Sequence, residues 1–340
     1  VFDTQIVVGK PADLQTERAA LIKRQASSQV SALCDRTGYG ALPYADNLLN
    51  RIVFLDWTGA VDPVATAREI ARVAAPGGMI YANASASEYL IQAGLQKKGN
   101  VDALASFSKP WPADIDQWTH HAHGADGNAV ARDRKVGPPR HYQWFATPRW
   151  MRTHESESSI SAIVTAAGRI YSITDLAPPG LFGPQGGSGD WYLAAQDAFN
   201  GQYLWKVPIA QWGWEYWQTN WFMGRPGDMP LNLQKRLVAQ GDRVYATLGY
   251  RAPVTELDGR TGAVLKSFAG TAGTNEILVQ DDLLIAAVLN VSQGGKYAER
   301  RGEQKAGTGA KVKAFDRNTG SLLWETDKFY QGCLLYTSPS

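Results

Sequence analysis

A short stretch of the chain concentrates side chains that could bind a metal ion: His120, His121, His123 and Asp126. Imidazole nitrogens and carboxylate oxygens are ordinary ligands of zinc or iron. We therefore take His120 and His123 as candidate metal ligands. His141 and His154, the other two histidines of the sequence, are available as further ligands. The spacing matches no defined metal site, so a purely structural role for this stretch is the alternative.

The chain after this stretch repeats one frame three times. Each copy has an aspartate, a glycine four residues later, and a third position four residues beyond the glycine. The aspartates are 61 and 58 residues apart, somewhat above the period of a four-stranded propeller blade. The copies are Asp197, Gly201 and Trp205; Asp258, Gly262 and Lys266; and Asp316, Gly320 and Trp324.

The chemistry of this frame predicts a hairpin. An aspartate at the start of a turn accepts backbone N–H groups from the residues that follow, and the glycine supplies a positive φ. Strand-like sequence precedes each copy, where apolar residues alternate with small or polar ones. A tryptophan at a fixed place suits packing between neighbouring sheets, and Lys266 predicts a weaker or differently filled contact. The preceding strand-like segments are 168–174, 242–249 and 282–289.

The frame A–x–D–x–x–T/N–G–x–x–x–W resembles the repeat of PQQ-like β-propellers, found in quinoprotein dehydrogenases and in related non-enzymatic scaffolds. The resemblance covers roughly 110–327 and implies about three all-β blades, which is an incomplete propeller because the family usually has seven or eight. Many of these propellers begin with a segment like 110–150, which leads into the first blade or closes the ring. The resemblance therefore favours a structural role for His120 and His123.

An aromatic insertion, QWGWEYWQTNWF at 211–222, interrupts the repeats. If its four tryptophans were exposed, they could form a platform on which sugars stack. A cluster of this kind is more often buried and packs over the fold. We favour the buried arrangement.

The first hundred residues have a different character. Strand-like and helix-like runs alternate, which predicts a parallel α/β sheet. The phrases ALPYADNLLNRIVFLDW and EIARVAAPGGMIY, with a turn at PGGMIYANA, resemble the second half of class I S-adenosylmethionine (SAM)-dependent methyltransferases over about 1–85. This resemblance implies a Rossmann-like fragment and places Asp35 on the adenine side of SAM. A carboxylate at a strand end is the alternative for Asp35, and the family's glycine-rich loop has no counterpart in this sequence.

Four segments are expected from these observations. The tail CLLYTSPS resembles translated adaptor sequence, and the opening VFDTQIVVG suggests a fragment. The two cysteines, Cys34 and Cys333, indicate no disulfide framework. We expect a truncated methyltransferase-like domain at 1–105, a linker and entry segment at 106–150, blades at 151–330 and an adaptor or assembly scar at 331–340. A strand followed by a loop is the alternative for the last of these segments.

Composition excludes some functions. Apolar residues make up 44% and charged residues 19%, and the formal net charge is +2 without a basic run. We expect no nucleic-acid partner and no membrane span in this sequence.

Three functions are compatible with the resemblances. The first is a binding scaffold in which a degenerate methyltransferase-like domain precedes a propeller that binds an unknown protein or small molecule on its face. The second is a quinoprotein dehydrogenase oxidising alcohols or sugars, which implies PQQ with calcium. The third is a SAM-dependent methyltransferase. The combination resembles a group of large bacterial proteins without an assigned reaction, and the propeller resemblance implies the cell envelope or periplasm.

Overall fold

The structure, a computed structural model, divides into two compact units, Val1–Ala113 and Asp114–Ser340. We call them the first unit and the second unit. Among its described helices, none is long and apolar enough to cross a membrane. The described residues are 4–8, 11–24, 30–34, 38–55, 57, 60–135, 137, 142–145, 151, 158–177, 189–217, 230–288 and 310–328.

The first unit contains two parallel strand pairs, each joined by a helix. Strand β1 (Thr4–Val8) pairs with β2 (Val30–Cys34), and helix α1 (Pro11–Lys23) lies between them in sequence. Strand β3 (Leu49–Phe54) pairs in parallel with β4 (Ala74–Ala82). These pairs agree with the predicted alternation of strand and helix.

Helix α2 (Pro63–Val73) connects β3 to β4, and the residues at its start explain why a helix forms there. The Oδ1 atom of Asp62 accepts the N–H groups of Val64 and Ala65, both at 3.0 Å, and proline occupies the first helical turn. Such a cap satisfies backbone donors that have no partner inside the helix. The inward face of the helix then buries apolar side chains, including Ile70, which pack on the sheet.

Two features of this unit differ from the sequence prediction. Residues 76–82 of the segment PGGMIYANA, which was expected as a turn, lie in β4, with Gly77 at a φ of +75° beside a register shift. An antiparallel hairpin of β5 (Gln96–Val101) and β6 (Leu104–Ser108) follows a 3-10 helix (Ala84–Ala86) and α3 (Ser87–Gln92). It completes the sheet, in the order β3-β4-β6-β5.

The second unit contains three four-stranded antiparallel sheets in which sequential strands are neighbours. The first strand of the middle sheet, Leu237–Gln240, contacts the first strands of both other sheets. This order and contact pattern are those of propeller blades. The sheets are β7 (Ile160–Ala166), β8 (Arg169–Asp175), β9 (Trp191–Asp197) and β10 (Tyr203–Pro208); β11 (Leu237–Gln240), β12 (Arg243–Thr247), β13 (Val254–Asp258) and β14 (Val264–Ser267); and β15 (Thr274–Gln280), β16 (Leu283–Val288), β17 (Lys311–Asp316) and β18 (Leu322–Thr326).

Short helical segments join the first two of these sheets. Helix α4 (Trp214–Trp217) and a 3-10 helix (Leu231–Arg236) lie between β10 and β11. Trp212 and Trp217 are 3% and 1% exposed, and both belong to the core cluster between the sheets. These two tryptophans of the insertion are therefore buried, as we favoured, while residues 218–222 lie outside the described part of the chain.

The repeated frame forms the turn between the third and fourth strands of each sheet. In the middle copy, Asp258 Oδ1 accepts N–H groups from Arg260 at 2.9 Å and Thr261 at 3.0 Å, and Gly262 has a φ of +74°. The glycine N–H then donates to the Asp258 carbonyl at 2.8 Å. The same carboxylate and glycine geometry recurs in the other copies, at Asp197 with Gly201 and at Asp316 with Gly320.

The third position of the frame joins one sheet to the next. Trp205 of the first sheet donates from Nε1 to the carbonyl of Gly259 at 3.0 Å, and its ring lies against Gly262. In the second sheet, Lys266 donates from Nζ to the carbonyl of Arg317 at 2.8 Å. Lys266 thus joins its sheet to the next through a charge-assisted hydrogen bond. Trp205 joins its sheet to the next through ring packing and a neutral hydrogen bond.

Replacing Gly262 with alanine tests the packing of this junction. A Cβ at Gly262 would lie 2.7 Å from Trp205 Cδ2, whereas a Cβ at Gly241, also at positive φ, meets nothing within 4 Å. We expect Gly241→Ala to cost about 1–2 kcal/mol of unfolding free energy through backbone strain alone. Gly262→Ala should cost about 1–3 kcal/mol more through overpacking. Urea unfolding of both variants measures this difference. Equal losses of unfolding free energy would contradict the packing of Trp205 against Gly262.

Candidate functional site

Three consecutive residues, Trp118 to His120, bond to the first strand of every described sheet in the second unit. The Trp118 carbonyl accepts the N–H of Thr165 in β7 at 2.7 Å. The Thr119 carbonyl accepts the N–H of Ala239 in β11 at 3.0 Å. His120 Nε2 accepts the N–H of Val279 in β15 at 3.1 Å. We call these three residues the bridging segment.

The physical reason for the bridging segment is the open edge of each first strand. A first strand pairs with only one neighbour in its own sheet, so half of its N–H groups point away from that sheet. A buried N–H without a partner costs about 1–3 kcal/mol. The bridging segment supplies one acceptor to each of three such edges. It therefore satisfies donors that the sheets cannot satisfy themselves.

His120 takes part as a neutral imidazole. Because Nε2 accepts a backbone N–H, the ring proton resides on Nδ1, which donates to Thr119 Oγ1 at 2.8 Å. His120 is buried, and burial lowers its pKa to about 4. The ring is therefore uncharged at neutral pH and both of its nitrogens are used inside the protein.

His123 is held on the other side of a tight turn. Its Nε2 lies 2.7 Å from Asp116 Oδ2, and its backbone carbonyl accepts the N–H of Thr119 at 2.9 Å. The pKa of Asp116 is lowered chiefly by the backbone N–H of Arg132, with the His123 hydrogen bond adding to the effect. Asp116 thus remains a carboxylate that orients the His123 ring.

These contacts bear on the metal hypothesis. His120 presents Nε2 to Val279, and His123 presents Nε2 to Asp116. Among the described residues, no three His, Cys, Asp or Glu side chains are grouped so that they could hold a metal ion. Metal binding by His120 and His123 stays a prediction, and it would require both rings to exchange a protein partner for the ion.

A cavity of about 220 Å³ lies beside the bridging segment. Its walls come from three parts of the chain: the turn that follows the bridging segment, the 3-10 helix before β11, and strand β15. Its lining residues are His120, His121, Ala122, Gly124, Ala125, Asp126, Gly127, Lys235, Glu276, Ile277 and Leu278.

The polar groups of this cavity carry both signs of charge. Lys235 Nζ lies 3.2 Å from Glu276 Oε1, and the Asp126 carboxylate adds a second negative group. Burial, and then the positive charge of Lys235, lower the pKa of His121, so this imidazole is neutral near pH 7. The lining therefore combines a lysine and a glutamate that pair with each other, a neutral imidazole, and the Asp126 carboxylate, which lies 3.5 Å from Arg132 and accepts the N–H of Asn128.

Sequence reasoning missed Lys235 and Glu276. They are 41 residues apart, and only the approach of the 3-10 helix to β15 brings them together. It also missed Arg236, which is 3% exposed, stacks over the Tyr250 ring at 4.7 Å and donates to the Tyr250 carbonyl at 2.7 Å. No spacing in the sequence marks these three residues.

Several candidate residues cannot be placed at this site. Asp35, His141 and His154 lie outside the described residues. The aspartates and glycines of the repeated frame occupy turns, where their polar groups bond to their own backbone. The cavity is smaller than the ~300–1,000 Å³ of sites for drug-sized ligands, and it offers one lysine. It therefore does not fit PQQ, a tricyclic tricarboxylate, with calcium.

Comparisons with known proteins give partial structural similarity. No protein-family model matches the chain, and no curated protein matches it. Europium-containing methanol dehydrogenase is 14% identical with a TM-score of 0.37, covering 62% of this chain and 31% of that one. Quinohemoprotein alcohol dehydrogenase from Comamonas testosteroni is 14% identical with a TM-score of 0.36, covering 63% and 27%. The [4+2]-cyclase SpnF is 19% identical with a TM-score of 0.26, covering 28% and 43%.

Replacing His120 with glutamine tests its neutral, accepting role. The folded-state pKa lies near 4 and the ordinary value near 6.5, so the unfolded chain takes up the proton first as pH falls. Stability from this group is present above pH 6.5 and is lost between about pH 6.5 and 4, by about 2 kcal/mol at pH 5. His120→Gln retains an acceptor but cannot titrate.

The measurement is the loss of unfolding free energy between pH 7 and pH 5. We expect this loss to be smaller by about 2 kcal/mol in His120→Gln than in the wild type. Lys97→Gln, on the exposed strand β5, is the control, since it introduces glutamine without removing an imidazole. An unchanged pH dependence in His120→Gln would show that His120 is not held neutral.

Proposed function

We propose that the second unit is a binding scaffold that takes a small polar solute in the cavity beside the bridging segment. One observation carries this proposal: the Lys235–Glu276 pair, the neutral His121 and the Asp126 carboxylate converge on one space of about 220 Å³. Binding sites combine a concave surface with a few convergent polar groups. Of these groups, Glu276 lies on strand β15, Lys235 on the 3-10 helix before β11, and His121 and Asp126 in the turn that follows the bridging segment.

The charges favour a solute that carries both an ammonium and a carboxylate group. Lys235 can bind a carboxylate, while Glu276 and Asp126 can bind an ammonium, and the neutral His121 ring can donate or accept. A solute with only a negative charge would pair with Lys235 and leave Glu276 without its partner. A solute with only a positive charge would pair with Glu276 and leave Lys235 without its partner. A volume of about 220 Å³ suits a molecule of amino-acid size.

Saturation-transfer NMR on the whole chain tests this proposal with four probes: glycine, acetate, ethylammonium and D-glucose. We expect transfer to glycine, and a loss of at least tenfold in its affinity in Glu276→Gln or Lys235→Met. Leu278→Trp, which fills the cavity, should abolish the signal. Lys97→Met, on the exposed strand β5, is the matched control. Absence of transfer to glycine, or transfer that Leu278→Trp leaves unchanged, would overturn the proposal.

The two catalytic alternatives each require a cofactor site. Quinoprotein chemistry would require PQQ and calcium, which this cavity does not fit. Methyl transfer would require a SAM site, and the first unit offers a cavity of about 50 Å³ lined by Val64, Arg68, Tyr89, Gln92 and Ala93. Dye-linked oxidation after adding PQQ and calcium, and calorimetry with SAM, test these alternatives directly.

A further inference from the structure

Arg236 is the only buried arginine among the described residues. It ends the 3-10 helix before β11 and is 3% exposed. Burial lowers its pKa to about 10, so the guanidinium still carries its charge at pH 7. A buried cation is costly unless an anion or a full set of hydrogen-bond acceptors compensates it. The surroundings of Arg236 should therefore contain such a compensating group.

Two more exposed arginines do have a carboxylate partner. Arg72 lies 2.6 Å from Asp46 and Arg169 lies 2.7 Å from Asp242, although 33% and 17% of the two arginine side chains are exposed. No described Asp or Glu side chain pairs with Arg236. The most enclosed of the described arginines thus lacks the counter-charge that Arg72 and Arg169 have.

Only one side of the Arg236 guanidinium is used inside the protein. Its Nη1 donates to the Tyr250 carbonyl at 2.7 Å, and the group lies 4.7 Å from the centroid of the Tyr250 ring. Its Nε is buried without a hydrogen-bond partner, and no described group accepts from Nη2. The Nε–H and one N–H of Nη2 are parallel, and together they form the fork that binds two oxygens of a planar anion.

Further donors without acceptors lie beyond the Tyr250 ring. The Tyr250 and Trp212 ring centroids are 6.5 Å apart, and those of Trp212 and Trp217 are 6.2 Å apart. Both indole N–H groups are buried without a partner. Thr247, which stands opposite Arg236 one position beyond the β11–β12 pairing, has a buried hydroxyl without a partner. All of these groups can donate, so the surroundings favour an anion.

We propose that the Nε–Nη2 edge of Arg236 binds a small planar oxyanion with a single negative charge, of the size of formate, nitrate or bicarbonate. Two parallel hydrogen bonds hold two of its oxygens, and its charge compensates the buried cation. Because Arg236 is 3% exposed, the ion is itself enclosed, which limits its size. The proposal does not rest on the cavity, which is lined by the neighbouring Lys235.

NMR titration of the whole chain with sodium formate tests this site. The probe is the Nε–Hε resonance of Arg236, assigned by its loss in Arg236→Lys. It should shift saturably with formate and with nitrate. Chloride should need at least tenfold higher concentrations, because one spherical ion cannot make two linear hydrogen bonds to the fork. HEPES, which is too large for an enclosed site, keeps the ionic strength constant.

Urea unfolding gives a second readout. Formate should raise the midpoint of the wild type, since a ligand that binds only the folded chain stabilises it. Arg236→Met removes the buried charge and keeps a long side chain, so its midpoint should not respond to formate. Arg236→Lys keeps a charge without the fork and should bind formate at least tenfold more weakly. Arg251→Met, which changes an exposed arginine of the same unit, is the matched control and should respond like the wild type.

Three results would overturn the proposal. The first is an Arg236 Nε–Hε resonance that formate does not shift. The second is a midpoint that formate raises equally in Arg236→Met and the wild type, because the ion would then bind elsewhere. The third is equal formate affinity in Arg236→Lys and the wild type, because a point charge would then be sufficient.

Discussion

The second unit depends on three hydrogen-bond acceptors, two backbone carbonyls and one imidazole nitrogen, placed where the first strands of its sheets have unpaired donors. Trp118, Thr119 and His120 provide one acceptor each, to β7, β11 and β15. A sheet edge left open inside a protein would bury unsatisfied N–H groups. Since the three acceptors are consecutive, the spacing of the three first strands is set by the geometry of a single short stretch. The histidine-rich sequence is thus explained by architecture, with His120 acting as an acceptor that carries no charge.

The outer parts of the sheets are joined by a second, independent device. Each frame turn exposes a carbonyl after its aspartate and a flat surface at its glycine, and a long side chain from the preceding element covers both. Trp144, Trp205 and Lys266 show that the donor can be an indole or an ammonium. The constraint therefore lies in the turn, whose backbone conformation needs glycine, more than in the side chain that covers it. Lysine at one junction is compatible with the fold because its ammonium reaches the same acceptor.

The parts that sequence reasoning predicted are those with local causes. The turns follow from Asp258 and Gly262 and their equivalents, because a carboxylate and a positive φ act within five residues. Helix α2 follows from Asp62 and the apolar spacing behind it. By contrast, the hydrogen bond from Val279 to His120 joins residues 159 positions apart, and no local sequence pattern predicts it. The hairpin of β5 and β6 was missed because β5 is exposed along its whole length and shows no alternation.

The candidate site was predictable only in part. The histidines attracted attention through their residue type, and the structure places His120 and His121 in the cavity wall. Lys235 and Glu276 complete that wall, but each looks like an ordinary surface charge in the sequence. These two residues come together only because the 3-10 helix packs beside β15. A site assembled from three separated segments has no signature in any one of them.

Amide hydrogen exchange measured by NMR tests the bridging segment most directly. The amides of Thr165, Ala239 and Val279 lie on the sides of their strands that face away from their own sheets. If the bridging segment satisfies them, they should exchange as slowly as the amides of the sheet interior, such as that of Leu193. Exchange of all three at the rate of solvent-exposed amides would show that the first strands are not held together by residues 118–120.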